Sequence, residues 1–135
     1  MVDSLKQLVS SRARNCCEYC LLPQGQTNVP HELDHIIATK HRGSNDATNR
    51  ALACFGCNHS KGPCIAGIDP VSGAVTRLFH PRSHKWSAHF RWDGPLLLGR
   101  TAIGRTTIEV LEINNAHRVL IRQTLIDEGV FPPKQ

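Results

Sequence analysis

Residues 50–62 read RALACFGCNHSKG. Within them Cys54-Phe55-Gly56-Cys57 forms a Cys-x-x-Cys turn, and the same spacing occurs upstream at Cys17-Glu18-Tyr19-Cys20. Two such turns offer four thiolates, the ligand set of a closed tetrahedral zinc site. Arg50 to Ala53 reads as a strand entering the second turn. A short helix is expected from Asn58, ending at Gly62-Pro63. Zinc on Cys17, Cys20, Cys54 and Cys57 would fasten both ends of the segment between the turns. Cys64, after Pro63, reads as a plain small side chain. Cys16 offers a Cys-x-x-x-Cys spacing to Cys20, which leaves Cys16 open as a replacement for Cys17.

Residues 21–53 exceed the span of a simple zinc ribbon, and polar chemistry fills them. His31 to Ala38 (HELDHIIA) reads as a strand, and Lys40 to Arg50, with Gly43, Asn45, Asp46 and Asn49, as a loop. The strand carries Asp34-His35, which a zinc clasp would set opposite Asn58. Phosphodiester hydrolysis needs a hard cation on the phosphorus oxygens and a general base for water with a pKa near 7. Asp34 is an oxygen ligand suited to Mg²⁺ or Mn²⁺, and a histidine is the natural base. Neighbouring strand side chains point to opposite faces, so Asp34 and His35 need a distortion or an edge position to share one site.

The pattern C-x-x-C … L-D-H-I-I … N-R-A-L-A-C-x-x-C-N-x-x-K-G resembles the HNH endonucleases of the ββα-metal type. Gly67-Ile68-Asp69-Pro70, Leu78 to Arg82, Trp86-x-x-His89-Phe90 and Gly104-Arg105-x-Thr107 resemble one bacterial branch of that family. The resemblance implies His35 as general base, Asp34 as catalytic-metal ligand, and Asn49 as the residue holding the loop that orients His35. It implies Asn58 as second metal ligand, with His59 next to it as the competing choice, and Lys61 as a basic group near the scissile phosphate. The four thiolates would hold structural Zn²⁺, and Mg²⁺ or Mn²⁺ would serve catalysis. Products with 3′-hydroxyl and 5′-phosphate ends are expected.

Composition agrees with one globular unit, and the resemblance implies the α+β class. The chain has 135 residues, 40% of them hydrophobic and only 5% aromatic. A single domain over 1–135 is expected, with a zinc-clasped core at 12–66 and an extension at 67–135. No long apolar run and no leader pattern occur, so a membrane partner is not expected and a cytoplasmic location is. The net charge of +5 favours a polyanion. From Ala47 to Trp92 the sole acid is Asp69. DNA is the expected partner, with RNA left open. Arg42, His59, Arg82, His89 and Arg91 are the expected contacts. Double-strand cleavage would call for a homodimer or two encounters. The competing reading is a non-catalytic zinc-stabilised nucleic-acid-binding module, for which Asp34, His35, Asn49 and Asn58 have no use. A redox or zinc-storage protein is a third.

The flanks read as follows. A helix is expected over residues 4–15. After an Asp69–Gly73 turn, strands at 74–80, 87–92 and 96–99 suggest a small antiparallel meander. Helices are expected over 104–113 and 116–128, the second capped by Asn115. His31 and His41 read as loop surface, and Trp86 and Phe90 as core. His80 and His89 are either structural or extra phosphate contacts. Arg118 and Arg122, four residues apart, read as a phosphate-binding edge or an ordinary exposed face.

Overall fold

The computed structural model describes residues 2–134. Helix α1 (Val2–Arg12) leads into the first cysteine turn. Strand β1 (Glu32–His35) pairs antiparallel with β2 (Arg50–Ala53), and helix α2 (Phe55–Lys61) follows directly. The pairs run without interruption from Glu32↔Ala53 to His35↔Arg50. This ββα unit and the α+β class match expectation. Helix α2, however, begins at Phe55 rather than Asn58. The Cys54 sulfur accepts from the Cys57 N–H and acts as the N-cap, so the cysteine turn is itself the first turn of the helix.

The extension departs from the expected meander. β3 (Ala66–Ile68) pairs with β4 (Val75–Arg77), and β5 (Phe90–Asp93) pairs with β6 (Leu96–Gly99), giving two separate two-stranded ribbons. Residues 86–89 are not strand but a short helix, α3 (Trp86–His89). The long reach between β4 and β5, with Pro81 within it, breaks what alternation alone suggests is continuous. Helix α4 (Ala102–Val110), capped by Thr101, packs on both ribbons. It comes so close that a Cβ on Gly104 would clash with the His89 carbonyl. Helix α5 (Ala116–Asp127) is capped by Asn115, whose oxygen accepts from the Arg118 N–H at 2.9 Å.

Several polar residues expected at the surface face inward. Arg122 is 2% exposed and donates to the carbonyls of Pro95 and Ile113, with its guanidinium over the Trp92 ring. Arg118 points to the cysteine cluster. These two arginines therefore form neither a phosphate-binding edge nor an ordinary exposed face. His31 is buried rather than on the loop surface, its Nε2 on the Leu22 carbonyl at 2.8 Å. Asp69 closes its turn through Ser72 and Val71, as expected, and also binds Arg105 of α4 through two hydrogen bonds. No helix among the described residues is long and apolar enough to cross a membrane.

Candidate metal centre and catalytic cleft

The sulfurs of Cys17, Cys20, Cys54 and Cys57 lie within 4.8 Å of one another and are buried. Tetrahedral Zn–S bonds of about 2.3 Å place sulfurs about 3.8 Å apart, and Cys20 and Cys54 stand at 3.6 Å. The cluster thus has the dimensions and the ligand type of a closed zinc site. Each turn folds its own ligands: Cys20 N–H donates to the Cys17 sulfur and Cys57 N–H to the Cys54 sulfur. Cys16 lies outside the cluster and donates to the Arg14 carbonyl. Cys64 lies outside it as well. Burial pushes the Cys17 and Cys57 thiols well up, while hydrogen bonds from the neighbouring cysteines hold Cys20 well down. Four sulfurs this close cannot all ionise without a cation to share.

The residues between the ligands reach elsewhere. Glu18 accepts from the Leu52 N–H of β2 and forms an ion pair with Arg82. The Tyr19 hydroxyl donates to Asp34 at 2.7 Å. Asp34 is buried and has two donors, Tyr19 and the Lys61 ammonium, the latter 3.2 Å away. Lys61 also donates to the His35 carbonyl at 2.9 Å. Burial raises the Asp34 carboxyl's pKa, against the opposing pull of Lys61 and Tyr19. Lys61 is only 1% exposed, so its ammonium serves Asp34 and the strand end rather than facing solvent.

Asn58 is half-buried on α2 and donates to the carboxylate of Glu32, two residues before Asp34 on β1. Glu32, Asp34, Asn58 and Lys61 therefore meet on one side of the β1–α2 pair. His35 leaves the strand toward the loop instead, where its Nε2 lies 2.8 Å from the Asn45 amide oxygen. No bulge brings His35 round to Asp34. Asn49 is buried and clasps the loop three times: it accepts from Ile37 N–H and donates to the Ile37 and Ser44 carbonyls. A Cβ on Gly43 would run into the Ile37 carbonyl, which shows how tightly this loop closes.

Of the expected nucleic-acid contacts, Arg42, His59 and Arg91 are exposed, His59 stacking on Phe55. Arg82 is spent on Glu18, and burial pushes its pKa down to about 10. His89 shares its Nδ1 with the Thr101 hydroxyl, and burial holds it below the usual histidine range. Sequence reasoning missed Tyr19, Glu32 and Asn45, and it did not place Arg118 at the cysteine cluster. Only Glu32 carried a signal, standing on the same strand face as Asp34.

Residues 17–63 match the family model described as HNH endonuclease, and both Cys-x-x-Cys pairs fall on the model's four cysteines. This segment is similar to HNH domains, and the match spans well under half of the chain. No curated protein and no solved structure matches the chain. The HNH match implies nuclease-type chemistry with metal binding and a nucleic-acid substrate. It covers the two cysteine turns, β1, the Asn49 loop and α2, while the two ribbons and the C-terminal helices lie outside it.

Proposed function

We propose that the protein is a metal-dependent endonuclease that hydrolyses DNA phosphodiester bonds, with Zn²⁺ in the four-cysteine site as a structural ion. The observation that carries the reading is the anchoring of the His35 ring by Asn45. An amide oxygen only accepts, so the His35 Nε2 is the donor toward Asn45 and Nδ1 is left out of that contact. An imidazole held by one nitrogen at the end of β1, beside a loop clasped by buried Asn49, suits a general base.

The oxygen donors fit a hard cation in kind, but Asp34 is held by Tyr19 and Lys61 and His35 faces the loop, so one shared site calls for these side chains to move. Asp34 and Asn58 would hold Mg²⁺ or Mn²⁺, with Glu32 beside them, and the ion would supply charge neutralisation at the phosphorus and leaving oxygens. His35 Nδ1 takes a proton from water as the water oxygen bonds to phosphorus. The bond to the 3′-oxygen breaks, leaving a 3′-hydroxyl once that oxygen is protonated and a 5′-phosphate on the other strand end. Asn45 and Asn49 keep the base in place. Lys61 balances Asp34 and ties the end of β1 to α2. Arg42, His59 and Arg91 are the side chains offered to the phosphate backbone.

The test is cleavage of supercoiled plasmid by wild type and His35→Ala with Mg²⁺, Mn²⁺ or EDTA. Cleavage by wild type alone, abolished in EDTA, is expected. A His35→Ala protein that cuts normally would remove His35 from its role. A zinc-loaded, folded wild type that binds DNA and cuts none of a broad set of sequences would leave the binding module as the reading.

A further inference from the structure

We propose that Arg118, from outside the matched segment, is the counter-charge of the four-cysteine centre and controls how tightly its metal is held and how fast its sulfurs react. The inference rests on reading that centre as a zinc site. Arg118 Nη2 lies 2.8 Å from the Cys57 sulfur and 3.7 Å from that of Cys54. Its Nη1 donates to the carbonyls of Leu111, at 2.7 Å, and Glu112, at 3.2 Å, which fixes the guanidinium plane. A second observation comes from the turn itself. A Cβ on Gly56, between the two ligands, would stand only 3.0–3.2 Å from Nε, Cζ and Cδ of Arg118. The absence of a side chain there lets the guanidinium lie across the second cysteine turn.

The chemistry calls for such a group. A Zn²⁺ ion with four thiolates carries two excess negative charges, and a buried anion without a partner is costly. Backbone N–H groups of Cys20 and Cys57 supply neutral hydrogen bonds to two sulfurs. Arg118 adds a charged donor, the stronger kind. Arg122, one turn on, donates to Pro95, Ile113 and Asn114 instead of to a sulfur, and its charge reaches the cluster only through space. Groups that bond to metal ligands change metal affinity by about 10- to 100-fold when removed.

The test uses the full zinc-loaded chain as wild type, Arg118→Gln, Arg118→Lys and Asn115→Ala. Zinc transfer to a coloured chelator is timed, and iodoacetamide-labelled cysteines are located by peptide mass. Asn115→Ala loosens the start of α5 while keeping Arg118. Expected are one zinc per wild-type chain, loss of zinc about tenfold faster in Arg118→Gln, labelling that among the four cluster cysteines begins at Cys57, intermediate rates in Arg118→Lys, and near wild-type rates in Asn115→Ala. Should Arg118→Gln fail to fold, Arg118→Lys carries the test, since one ammonium cannot reproduce the planar fork. Wild-type rates in Arg118→Gln, or in Arg118→Lys if it alone folds, overturn the proposal. Asn115→Ala rates as fast as those of Arg118→Gln also overturn it, in favour of a loosened helix. A wild-type protein without zinc overturns the zinc reading itself, and the role of Arg118 with it.

Discussion

Asn45 sets which nitrogen of His35 is free, although it sits in a loop that reads as plain polar sequence. Asn45→Ala should lower the rate of plasmid cleavage by about a hundredfold, with little change in DNA affinity or thermal unfolding. An equal fall in affinity would give Asn45 a binding role instead. Lys61 makes a different kind of prediction. Its removal leaves the Asp34 carboxyl buried beside Tyr19 alone, and breaking such a pair costs about 3–5 kcal/mol. Lys61→Met should therefore unfold at much lower denaturant, and Asp34→Asn in the same chain should recover most of the loss. No recovery in the double variant would mean that Lys61 acts through packing. At this scale the sequence singled out Asp34, His35, Asn49, Asn58 and Lys61 by motif. It did not show that Tyr19 and Lys61 would hold Asp34, because they meet it only across the folded ββα unit.

Between elements, the pair of Asp69 and Arg105 joins the β3–β4 ribbon to α4. Hydrogen bonds from Arg105, Val71 and Ser72 hold the Asp69 carboxyl well below the usual carboxylate range. A lowered native pKa gives stability that is present above about pH 4, the ordinary aspartate value, and is lost as pH falls further. Stability of the wild type should fall on acidification below that point, and Asp69→Asn should flatten this dependence while lowering stability at neutral pH. An unchanged acid limb in Asp69→Asn would place the dependence elsewhere. Strand β2 and the Asn115 cap of α5 were legible because each depends on a few adjacent residues. The meander was not, because hairpin partners are chosen by packing against α4. The α5 arginines misled for a related reason: charges at helical spacing look solvated until a buried anion or a row of carbonyls claims them.

For the whole molecule, the proposed site occurs once per chain, and one set of catalytic groups cuts one strand per encounter. Nicked circles should accumulate before linear DNA in a plasmid time course at low protein concentration. Linear product from the start, rising with the square of protein concentration, would mean a dimer acts. Stripping the cysteine site with a chelator should lower the unfolding temperature and release the cluster's hold on both turns, because metal binding and folding are linked. Readdition of Zn²⁺ should take up metal with release of protons; uptake without proton release would mean that the thiols are not the ligands.

Glu18 and Tyr19 occupy the interior of a cysteine turn that, in motif notation, is written as two wildcards. One anchors β2 and Arg82; the other holds the carboxylate proposed for catalysis. For protein engineering, this turn is not an interchangeable cartridge. A foreign Cys-x-x-Cys knuckle grafted at residues 17–20 would load metal normally, and yet it would leave Asp34 short of a donor and β2 short of an acceptor.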